Sequence, residues 1–310
     1  MTDLLEPAYA AARWGWFLAA FLILGAGSYA PFFLRGIRRS AAAGPELALA
    51  ISRRAASIGI WGAVGLLVFG LLRLWLQATS LLDPGEAVSS DLIWSVLASV
   101  WGGGWKAQTI MGLVVLASFV GARRGRTGGW VVAAAGAAGV SVTAGMTGHA
   151  ATTASGTGGW ILDAVHVGAG GIWLGGLAVI VMAGLPAWRS LTQEQRPLAL
   201  RQLITDFSRR ALIVAPITIA IGLWLAARYA GWTWPLRFSA SQYGWALAVK
   251  VLAVVLVGAV GAYNWRVLQP RLEEPGADRR IGRSGALELL LGLVVLGITA
   301  VLVSLPFPEE

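Results

Sequence analysis

Residues 160–185 read WILDAVHVGAGGIWLGGLAVIVMAGL. Asp163 and His166 are the only ionisable groups in the run, and both lie in its first third. At 1.5 Å per residue a helix of this length spans roughly 39 Å, more than the ~30 Å hydrocarbon core of a bilayer. The stretch reads as a transmembrane helix. Comparable apolar runs lie near 14–34, 56–78, 107–122, 128–147, 210–230, 244–267 and 285–305. The segment 92–105 (LIWSVLASVWGGGW) is apolar but broken by glycines, and reads as an interfacial helix leading into the third run. The expected fold class is all-α, a polytopic membrane helix bundle of about eight transmembrane helices. Residues 1–310 would then form a single integral membrane domain.

Composition agrees. Hydrophobic residues make up 57% of the chain and charged residues 13%, about half the share usual in a soluble domain. A chain of 310 residues cannot hide that much apolar surface in a water-soluble core. Lipid is the remaining place for it. The net charge of +9 is not the signature of a nucleic-acid binder, because the basic residues fall in short clusters between the apolar runs. Cysteine is absent, which removes disulfides, thiolate metal sites and iron–sulfur clusters.

Those basic clusters orient the chain. Arg35, Arg38, Arg39, Arg53 and Arg54 follow the first run, and Arg123, Arg124 and Arg126 the third. Arg189, Arg196, Arg201, Arg209 and Arg210 follow the fifth, and Arg266, Arg271, Arg279, Arg280 and Arg283 the seventh. These are 18 of the 24 basic residues, and the alternate loops and termini hold only Arg13, Lys106, Arg228 and Arg237. Cytoplasmic loops carry the excess of Arg and Lys, so both termini are expected on the extracytoplasmic side. The acidic start MTDLLEPAYA lacks the basic region of a cleaved signal peptide, and the first run is expected to be retained.

Ionisable groups at lipid depth are costly and usually functional. His166 lies about 9 Å below Trp160 on a helix, and Asp163 shares its face at i, i+3. Helical spacing carries that face on to Gly170 and Trp173. The second histidine, His149, ends the fourth run three residues after Met146. Met111, Arg73 and Lys250 fall at similar depth in their own runs. Two imidazoles, His149 and His166, with the thioethers Met146 and Met111, suit copper. Asp163, Lys250, Arg73 and Trp173 would supply the surrounding hydrogen bonds and charge pairs. The same two imidazoles also suit haem b as axial ligands, with Lys250 or Arg73 meeting a propionate, and the spacing does not choose between the two. The first reading makes the protein a transporter rather than an enzyme, the second an oxidoreductase. The inner half holds Met182, and near its edge Glu288 and Asn264. Gly171 and Gly175 stand at the spacing of close helix packing. Trp94, Trp101, Trp105, Trp232, Trp234 and Trp245 read as an interfacial belt.

At these residues the chain resembles the copper-resistance protein D (CopD) family of bacterial inner-membrane proteins. The resemblance is carried by Gly148-His149-Ala150, by Asp163-x-x-His166 running into Ile172-Trp173-Leu174-Gly175-Gly176-Leu177, and by Asp206-Phe207-Ser208-Arg209-Arg210-Ala211. Tyr243-Gly244 before Lys250-Val251, Asn264-Trp265-Arg266 before Pro270, and Arg283-Ser284 before Glu288 complete it. It covers roughly 141–306 well and the first third loosely. It implies copper transport or acquisition across the bacterial inner membrane, beside a small periplasmic copper-binding protein of the CopC type.

Overall fold

The computed structural model describes residues 2–29, 44–83, 85–147, 159–233, 235 and 238–305. The described residues form helices and turns only. The helices are α1 Thr2–Tyr29, α2 Gly44–Thr79, α3 Ser90–Ala98, α4 Val100–Arg123, α5 Thr127–Ala144, α6 Gly159–Trp188, α7 Arg196–Ala230, α8 Gln242–Arg271 and α9 Ala277–Leu302. All but α3 are long and apolar enough to cross a bilayer, giving the eight spans of a membrane bundle. Several start or end beyond the apolar runs. Arg-bearing polar turns continue the helix past the hydrocarbon, as at 196–209 in α7 and 277–284 in α9. Hydropathy finds only the lipid-facing part of such a helix.

The stretch 92–105 divides at Ser99. That residue ends α3 with an extended backbone, and its Oγ accepts from the Gly102 N–H at 3.1 Å, capping α4. The third span therefore starts at Val100 and is longer than 107–122. Trp94, Trp232 and Trp245 are exposed, as a belt requires. Trp105 instead donates its indole N–H to the Gly70 carbonyl at 2.7 Å, tying α4 to α2. Trp234 lies outside the described residues.

Helix α1 is the central post. Trp16, Ala20, Ile23, Ala26 and Tyr29 are almost fully buried, and α2, α5, α6 and α9 pack around it. Lipid is as apolar as leucine, so helices associate through close packing at small residues. The tightest crossing is α1 on α6. A Cβ on Gly25 would strike the backbone of Gly175, and one on Gly175 would strike the Phe21 carbonyl. Gly171 faces Leu24 in the same crossing. Helix α6 is not a plain α-helix. Gly171–Gly175 and Ile180–Gly184 are π-helical turns, and α8 carries another at Asn264–Leu268. Such turns hold one extra residue and are frequent at functional sites.

Candidate functional site

A cavity of about 220 Å³ lies at one end of the bundle, where α1, α6 and α8 begin and α2, α5, α7 and α9 end. Its ionisable lining is Arg13, Arg73, Asp163, His166, Tyr243 and Lys250. Asp163, His166, Arg73 and Lys250, read from sequence as separate outer-half groups, are thus gathered on one wall system.

The imidazole is held in one tautomer. His166 Nδ1 lies 2.9 Å from the Thr218 carbonyl of α7. A carbonyl only accepts, so Nδ1 carries the proton and Nε2 keeps its lone pair. The acceptor at Nδ1 is thus the Thr218 carbonyl. The ring needs Gly222, one turn beyond Thr218, because a Cβ there would stand 2.8 Å from His166 Cε1. Ser141 on α5 donates to the Ala164 carbonyl and fixes the first turns of α6 from the other side.

The cations are built in. Arg73 is 4% exposed, donates to Gln108 Oε1 at 3.4 Å, and lies 5.3 Å from the Trp16 ring centroid. Gln108 passes the connection on, its Nε2 donating to the Thr143 carbonyl at 2.8 Å. Arg13 stands over the Tyr9 ring at 4.5 Å and donates to the Val303 carbonyl and Ser304 Oγ, joining α1 to the end of α9. Asp163 is, among the described residues, the one carboxylate lining the cavity, and its charge bears on both Tyr243 and Lys250. Arg13, Thr218 and Gly222 did not stand out in the sequence, and Tyr243 entered only as part of the family resemblance. Arg13 and Tyr243 immediately precede their apolar runs, and a backbone carbonyl and a glycine carry no chemical signature.

The remaining candidates fall elsewhere. Met111 packs its sulfur over Gly139 between α4 and α5. Met146 is exposed in the turn that follows α5, next to Gly145 at the cavity wall. Trp173 belongs to a second cavity, beside Glu288. His149 lies outside the described residues, which contain no cluster of three or more His, Cys, Asp or Glu side chains. At about 220 Å³ the cavity is smaller than the ~300–1,000 Å³ of organic-ligand pockets. That volume accommodates an ion or a few waters.

Comparison with known proteins gives two family matches. Residues 1–160 match the copper resistance protein D-like N-terminal domain, and residues 201–302 match copper resistance protein D. The copper transport protein CutJ of Bacillus subtilis (strain 168) is 32% identical over 167 residues, covering 53% of this chain and 28% of the relative. The chain thus matches little more than a quarter of that relative's length. No solved structure matches. Most of α6, with His166, falls between the two matched segments.

Proposed function

The chain belongs to the copper resistance protein D family of multi-pass membrane proteins, and from that premise we infer that it takes copper at the extracytoplasmic face for passage into or across the inner membrane. His166 carries the reading. Its Nδ1 proton is committed to Thr218, so Nε2 is the free donor in the cavity. This is how metal-binding histidines are commonly held, with the second ring nitrogen donating to a fixed acceptor. Met146, in the turn that follows α5, and His149, three residues after it in sequence, are the further ligands in this proposal. Imidazole and thioether together suit Cu(I). A CopC-type periplasmic carrier would supply the ion.

The test is copper content and the visible spectrum of one purified sample. Near-stoichiometric copper in a colourless protein is the expected result. His166→Ala should abolish binding while the protein still accumulates. Gly222→Ala, which presses a methyl against the imidazole, should weaken affinity about 10–100-fold, as loss of a ligand's orienting partner does. Full occupancy in His166→Ala, or a Soret band, would sink the proposal.

Orientation has its own test. The chain has no cysteine, so single cysteines report without background. Ser155→Cys should react with an impermeant thiol reagent on intact cells, and Ser40→Cys should not. The reverse pattern would place the copper cavity on the cytoplasmic side.

A further inference from the structure

A second cavity, of about 440 Å³, opens at the other end of the bundle between α6, α7, α8 and α9. Its walls are mostly apolar, with Leu177, Ile204 and Phe207 among them. Glu288 sits in it, only 3% exposed. Its Oε2 accepts from Asn264 Nδ2 at 2.9 Å, and the Trp173 indole lines the same cavity. Both residues stand in π-helical turns, Trp173 in α6 and Asn264 in α8. Gly261 faces Oε1, and a Cβ there would stand 3.3 Å away, so the missing side chain leaves that oxygen room. Arg266 is the other ionisable side chain lining the cavity. Among the described residues, no cation lies within ion-pair distance of Glu288.

We propose that Glu288 is a proton-carrying carboxyl that binds and releases one proton as the copper-bound state of α6 changes. The chemistry of the surroundings selects the proton. The Asn264 N–H points at the carboxyl, and an N–H repels a metal ion. Among the described residues no sulfur or imidazole lines the cavity, so it lacks the soft ligands copper prefers. Asn264 suits both protonation states. Its amide donates to the carboxylate, while Oδ1 is buried without a partner. Turned over, the same amide presents Oδ1 to accept from the carboxylic acid. The link to copper runs along α6. Trp173 follows His166 by seven residues, about 10 Å of helix. The helix that holds the copper-facing imidazole therefore also forms part of the wall around Glu288. This coupling rests on the copper reading; the carboxyl site does not.

The experiment has two arms on the full chain. Infrared difference spectra between acid and alkaline pH should show a carboxylic acid carbonyl band that Glu288→Gln removes. Persistence of every such band in Glu288→Gln overturns the site. Should that variant fail to accumulate, Trp173→Phe must shift the band, and an unshifted band overturns it equally. In liposomes enclosing a pH-sensitive dye, added Cu(I) should drive proton movement that falls at least tenfold in Glu288→Gln, with copper content unchanged. Equal proton movement in both proteins overturns the coupling. A wild-type protein that binds no copper defeats the copper reading and the coupling, while the infrared arm still decides the site.

Discussion

Lys250→Met should cost the protein about 3–5 kcal/mol, the usual penalty for leaving one member of a buried charge pair alone. Lysine at the centre of a membrane helix already costs about 2.5–3.5 kcal/mol to insert. Lys250 opens into the cavity that holds Asp163, and the two charges act on each other there. Methionine matches the length of the stem and removes only the charge. The penalty should therefore come from Asp163, which loses the field of the ammonium. Asp163→Asn added to Lys250→Met should recover part of the loss. The measurement is thermal stability in detergent for both single variants and the double variant. If Lys250→Met melts with the wild type, the ammonium reaches water by itself and the pair has no energetic meaning.

Gly175→Ala should be the most damaging of the conservative changes. A methyl there meets the Phe21 carbonyl and stands 2.9 Å from Gly25 N, all of it backbone. Side chains can rotate away from an intruder, but helix backbones can only separate. Overpacking costs about 1–3 kcal/mol where side chains yield, so this site should exceed that range. Gly171→Ala meets the Leu24 side chain and should cost less. Gly103→Ala meets nothing within 4 Å and should gain slightly, because alanine is the better helix former. Equal accumulation and melting of Gly175→Ala and Gly103→Ala would refute the crossing.

The spans were legible because lipid imposes a simple condition. Each helix must be apolar for about 20 residues, and among the described residues eight helices are. The Gly171/Gly175 packing was legible for a related reason, since close approach in lipid demands small residues. The site was legible in part. Asp163, His166, Arg73 and Lys250 stood out as ionisable groups at lipid depth, and all four line one cavity. Trp173 did not follow them. Helical spacing puts it on the face of His166 but about 10 Å further along α6, where it lines the second cavity with Glu288. Nothing in the sequence marks where the first cavity stops. Met111 is similar, since whether a thioether binds metal or fills a gap depends on what stands opposite, here Gly139.

The three π-helical turns also bear on how such a chain can change over generations. Inserting one residue into a regular membrane helix rotates everything beyond it by about 100° and misaligns every later contact. A π turn confines the extra residue to one wide loop, so the flanking segments keep their neighbours. Helix α6 holds two such turns and α8 one. These two helices can each lose a residue at a π turn and close into regular α-helix with the bundle still in register. Relatives that differ in length by one or two residues inside these spans should therefore still superpose on both sides of the difference, and alignments that force those gaps into the loops will misplace Trp173 and Asn264.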